Sequence, residues 1–104
     1  MSRSESLAAY LRAQARRRLD RVESNDGGRN ARTALALLDA ALCADGLTDD
    51  DALIRMLEEA GCFGPQGCGD FDPGPEGARL IRDWQGAEPY ELLLALPGAM
   101  TTTA

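Results

Sequence analysis

At 104 residues the chain is long enough to bury one hydrophobic core and too short for two, and 44% hydrophobic with 27% charged residues is globular rather than disordered composition. It carries 11 arginines, 17 acids, no lysine and no histidine, for a net charge of −6. Histidine general bases, Ser/His and Cys/His nucleophile pairs, lysine Schiff bases, phosphate-loop lysines and histidine-containing zinc sites are thereby excluded within the chain.

The charge is unevenly placed. Residues 1 to 34 hold 8 arginines against 4 acids, and residues 35 to 104 hold 3 against 13, so the first part is net +4 and the second −10. Such a dipole bears on steering, solubility and partners rather than on fold. Abundant Ala, Gly and Arg without lysine is also the composition of GC-rich bacterial genomes.

From Ser6 to about Val22, Leu7, Leu11, Ala15, Leu19 and Val22 recur every three to four positions, which predicts a first helix with one apolar face. Ser4 or Ser6 is the expected cap. Its other faces carry Arg12, Arg16, Arg17, Arg18 and Arg21. The run Ser24-Asn25-Asp26-Gly27-Gly28 ends it, since these residue types favour turns.

A second helix is expected from about Ala31 to Ala44, burying Leu35, Leu38 and Leu42 with Ala34 and Ala41 beside them and Leu37 widening the stripe. So many apolar positions mark it as the central, most buried helix. Asp45 and Gly46 close it. Thr48 then opens a third helix with Asp51 three residues on, a weakened capping box, and Asp49, Asp50 and Asp51 lie at the positive end of its dipole. Leu53, Ile54, Leu57 and Ala60 form its buried side, and Gly61 is the expected C-terminal cap.

Residues 61 to 77 contain six glycines and three prolines and read as a loop. Cys62, Phe63, Cys68 and Phe71 within it call for packing against the core. Pro75 suits the first turn of a fourth helix reaching about Gln85 and burying Leu80, Ile81 and Trp84. Tyr90 to Leu96 is read as a short helix rather than a strand, because Glu, Leu and Ala favour helix, with Pro97 and Gly98 ending it. The expected organisation is one helical domain over residues 1–98 and a flexible tail over 99–104.

Arginines crowded on one helix repel one another unless screened by acids, water or a partner, so Arg12, Arg16, Arg17, Arg18 and Arg21 are either a solvated, internally paired face or a contact for an acidic surface. Nucleic acid is disfavoured because a pI near 4.5 places negative potential over most of the molecule. A helix-turn-helix reading of the second and third helices would insert Asp49, Asp50 and Asp51 toward phosphates. A calcium loop centred on Gly46 would place Ala41 and Ala52 at its first and last ligand positions. Both fail. Cys62 and Cys68 lack the close pairing and histidines of zinc sites, and no metal or cofactor is expected. The aromatic residues are read as core anchors, with Trp84 as a hot spot should it be exposed.

Gly28-Arg29-Asn30-Ala31-Arg32 followed by a Leu/Ala helix resembles a segment in the helical lid of some AAA+ ATPases, in which the second arginine senses nucleotide. The stretch is short. The chain has no phosphate loop, no acidic metal-binding strand and no room for the nucleotide domain, so no family is assigned.

The expected fold is all-α, a small compact bundle of four to five short helices with a Gly/Pro-rich loop between the third and fourth. The expected function is that of a cytoplasmic, non-catalytic interaction or regulatory protein. Its partner is a protein with an acidic surface, or a second copy of itself, held by Arg12, Arg16, Arg17, Arg18, Arg21 and Trp84. The alternatives are a small enzyme or accessory subunit using carboxylates and Cys of the 61–77 loop, and a nucleic-acid-binding regulator using the first helix. An odd count of three cysteines fits a reducing compartment, and no apolar run is long enough for a bilayer, so no membrane contact is expected.

Overall fold

The computed structural model describes residues 2–64, 66–67, 69–84 and 88–101. Five helices follow in chain order: α1 (Arg3–Leu19), α2 (Arg29–Asp45), α3 (Ala52–Glu59), α4 (Gly74–Arg82) and α5 (Pro89–Thr101). Among the described residues there is no strand, so the chain is all-α. The α1–α2 pair makes the largest contact between elements, and α5 packs against α2, α3 and α4.

α1 starts earlier than its apolar pattern suggests. Ser2, not Ser4 or Ser6, is the cap: its hydroxyl accepts from the Glu5 N–H at 3.2 Å, and the Glu5 carboxylate accepts from the Ser2 N–H at 3.4 Å. This reciprocal pair satisfies two otherwise orphaned donors. Ser4 and Ser6 are buried instead, and the Ser6 hydroxyl accepts from the N–H of Phe71 at 2.8 Å. Leu7, Leu11 and Ala15 are fully buried as expected, whereas Leu19 and Val22 are 49% and 47% exposed. The helix ends at Leu19, and Val22 falls beyond it, so the stripe is cut short.

α2 buries Ala34, Ala41 and Leu37 as expected and packs Leu38 partly against the core, but it leaves Leu35 and Leu42 outside. Ala34, Leu37, Ala40, Ala41 and Ala44 are at 0% exposure, while Leu35 and Leu42 are 60% and 68% exposed and Leu38 is half-buried. The buried stripe of α2 is centred on Leu37 and the alanines Ala34, Ala40, Ala41 and Ala44, and Leu37 faces Gln14, Arg17 and Arg18 of α1.

α3 is capped by Asp51, whose carboxylate accepts from the Leu53 N–H at 2.9 Å; the expected cap, Thr48, lies in the preceding turn. Asp49 serves another helix. Its carboxylate accepts from the N–H groups of Arg3 and Ser4, each at 3.4 Å, and so lies at the positive end of α1. At the far end of α3 the Cys62 N–H reaches the Leu57 carbonyl and the Gly61 N–H the Glu58 carbonyl, with Gly61 at φ 86°. That is the Schellman stop, which requires a left-handed residue.

The segment between α3 and α4 is fastened to the core. Phe63 and Phe71 are buried, and the Phe71 ring meets Tyr10 edge-on at 5.3 Å and Phe63 at 5.6 Å. Arg3 donates from Nε to the Gly67 carbonyl at 2.7 Å and pairs with Glu58 at 3.3 Å. At Gly67, φ is 72° and a Cβ would lie 2.7 Å from the Glu58 carboxylate, so any side chain there is both strained and crowded.

α4 carries Pro75 in its first turn and ends at Arg82, short of the predicted Gln85, which lies outside the described residues. Ile81 is buried, and Leu80 and Trp84 are half-buried against the core. The segment from residue 89 is helical, but Pro97 does not end it. α5 passes through Pro97 to Thr101 with Leu92, Leu93, Leu96 and Pro97 buried. Proline removes one N–H from a helix ladder without necessarily stopping the helix. Of the proposed tail, residues 102–104 lie outside the described residues, as does Cys68.

Candidate interaction surface on the first two helices

Apart from Arg3, the five arginines of α1 and its following turn fall into two groups. At 100° per residue, Arg12 and Arg16 lie close together on the helix circumference, with Ala9 and Ala13 alongside. These four, with Arg17 and Asp20, line a shallow, open groove on the outer side of α1, walled by the side chains of that one helix and its cap. The floor is alanine methyl and the rim is guanidinium.

Arg12 reaches the Asp45 carboxylate at 3.0 Å. Arg16 and Arg17 are exposed, and among the described residues neither has a carboxylate within ion-pair distance. Asp20, four residues after Arg16, does not close a pair with it.

Arg18 and Arg21 belong elsewhere. The half-buried Arg18 donates from Nη1 to Asn30 Oδ1 at 2.8 Å and from Nη2 to the Arg82 carbonyl, tying α1 to α2 and to the end of α4. The Arg21 carbonyl accepts from Asn30 Nδ2 at 2.9 Å. With Gln14, Arg17, Leu37 and Arg82 they line a smaller hollow of about 70 Å³. Asn30 in turn donates to Asp26 at 3.1 Å, and Asp26 also accepts from the N–H groups of Gly28 at 2.8 Å and Glu23 at 3.0 Å. Those backbone bonds, Glu23 first and Gly28 second, hold the Asp26 carboxyl below its ordinary pKa.

Part of the arginine cluster has a local explanation. Arg16, Arg17 and Arg18 occupy the last turn of α1, where the helix dipole favours cations by about 0.3–1 kcal/mol each. The dipole accounts for positive charge at that end. It does not account for an alanine-floored groove between the charges.

Trp84 is not part of the Arg12–Arg16 face. It packs half-buried against the core, and its carbonyl accepts from the Thr33 hydroxyl at 3.2 Å. Asp70 and Asp72 of the loop and Glu76 in the first turn of α4 are exposed while Cys62 is 2% exposed, and burial followed by the charge of Asp72 pushes the Cys62 thiol up to about 11. Among the described residues no three acids or cysteines converge on a metal-sized space, and no helix is long and apolar enough to cross a membrane.

The surface residues that sequence reading misplaces are Leu35 and Leu42. α2 is apolar over a stripe wider than the core can cover, and the sequence does not say which edge of it stays outside. Comparison with known proteins finds no matching family model, no similar curated protein and no similar solved structure.

Proposed function

We propose that this chain is a small non-catalytic interaction protein, a bundle of short helices that binds an acidic protein surface through the outer side of α1. The observation that carries the reading is the pair Arg16 and Arg17 on the shallow, open face of α1, both exposed and without an internal acid among the described residues. Arginine forks on a short apolar floor suit a partner that offers carboxylates on either side of an apolar ridge.

The alternatives have less support. A loop enzyme would need a reactive group, and the buried Cys62 thiol with a pKa near 11 is a poor nucleophile at neutral pH. Nucleic acid would meet a molecule of net charge −6.

The test is the double variant Arg16→Glu, Arg17→Glu. It should keep the helical circular dichroism of the parent while losing its bound partner, whether another protein or another copy. Unchanged mass and unchanged partner recovery would overturn the proposal, as would arginine-dependent retention of DNA or RNA with no protein partner.

A further inference from the structure

We infer that the occupant of the α1 groove is a second copy of this chain, which inserts its α2 ridge of Leu35, Leu38 and Leu42. The inference rests on the reading of that groove as a binding surface and names what fills it.

The first step is placement. The Arg12–Asp45 pair joins α1 to α2 on one side of the molecule. At 100° per residue Leu38 and Leu42 lie within about 60° of Asp45 on α2, and Ala9 and Arg16 lie within about 60° of Arg12 on α1. Groove and ridge are therefore neighbours on one outer face. The rest of the fold attaches beyond these faces, through the Tyr10–Phe71 ring contact, which flanks the groove beside Arg17, and through the bond from Thr33 to the Trp84 carbonyl.

The second step is the ridge. A single exposed leucine is ordinary, but Leu35 and Leu42 are 60% and 68% exposed and stand in line with Ala31 and Leu38 at steps of four, three and four. That is the spacing of a helix-packing seam, here with Leu35 and Leu42 facing solvent and Ala31 and Leu38 half-buried between them.

The third step is complementarity. Leucine knobs fit a floor of alanines, and Asp39, exposed beside the ridge and without an ion pair among the described residues, meets a rim that carries Arg16. α1 and α2 lie side by side and are connected by a short turn. A two-fold axis parallel to them therefore lays each ridge in the other copy's groove, and both contacts close at once. The product is a four-helix layer built from two identical hairpins. An unrelated partner would need to bring an apolar ridge flanked by acid; this chain already carries one.

The test uses the full chain, with mass measured by light scattering and native mass spectrometry across a concentration series. The parent should reach twice the monomer mass of 11.1 kDa. Leu42→Lys, at an exposed site, should keep the helical spectrum and raise the dissociation constant at least about a hundredfold. Arg16→Glu and Asp39→Arg should each weaken the dimer about tenfold, and the variant carrying both should recover most of that loss. A parent that stays monomeric at every concentration, or a dimer indifferent to Leu42→Lys, overturns the inference. If the parent is monomeric yet still loses a protein partner on Arg16→Glu, Arg17→Glu, the groove binds something else and only the second copy is ruled out.

Discussion

Arg12 and Asp45 meet at 3.0 Å across the α1–α2 pair, with their side chains 47% and 42% exposed. The pair joins the start of the chain's basic half to its acidic half, and it marks the side on which groove and ridge lie together. As an exposed ion pair it contributes little to stability, about 0.2–1 kcal/mol at most. Asp45→Asn should therefore shift the urea midpoint only slightly. A loss well beyond 1 kcal/mol would mean that the pair is structural rather than a feature of the surface.

The two apolar stripes of α2 should respond oppositely to substitution. Leu37 is at 0% exposure, and Leu37→Ala should cost about 2–5 kcal/mol through lost burial and the cavity left behind. Leu42→Gln, at 68% exposure, should stay within about 0.5 kcal/mol when measured in dilute protein. Equilibrium unfolding of the two variants side by side decides which stripe forms the core.

Ser6 holds Phe71 from 65 residues away. Ser6→Ala removes the acceptor and leaves the Phe71 N–H buried without a partner, a loss of about 1–3 kcal/mol. Hydrogen exchange should show the Phe71 amide losing protection while amides in the middle of α2 keep theirs. Unchanged protection at Phe71 would contradict the bond.

The turn between α1 and α2 should loosen in acid. Asp26 accepts two backbone N–H bonds that favour its charged form, so its folded pKa lies below the ordinary 3.8. A depressed carboxyl contributes stability in full above the unfolded pKa and loses it as pH falls through the folded value. Amide shifts of Glu23 and Gly28 should follow that titration, and Asp26→Asn should remove it. A midpoint at or above 3.8 would contradict the assignment.

Much of this fold is legible in the sequence. Helical spacing in Leu7, Leu11 and Ala15, the Gly61 stop, Pro75 in a first turn and the burial of Phe63 and Phe71 all follow from local chemistry. Three features do not. The apolar pattern begins after Ser2 and draws attention from it as a cap, although Glu5 three residues on gives the capping box. Which edge of the apolar stripe of α2 stays outside depends on what α1 and α5 cover. The persistence of α5 through Pro97 depends on burial of the leucines around it. For the candidate site, the arginines are plain in the sequence; their division into a groove rim and an inward brace through Arg18 requires Asn30 and Arg82 to be in place. Leu35 and Leu42 are recognisable as surface only with Ala34, Leu37 and Ala41 in the core.

The most direct measurement is site-specific photo-crosslinking with a benzophenone side chain placed in the full chain at Ala13, on the groove floor, or at Arg79, on exposed α4. Adducts, with a second copy or with another protein, should form from position 13 and disappear when Arg16→Glu and Arg17→Glu are added. Position 79 should give none. Adducts from 79 alone, or adducts from 13 that ignore the two arginines, would contradict the assignment of the α1 face as the working surface.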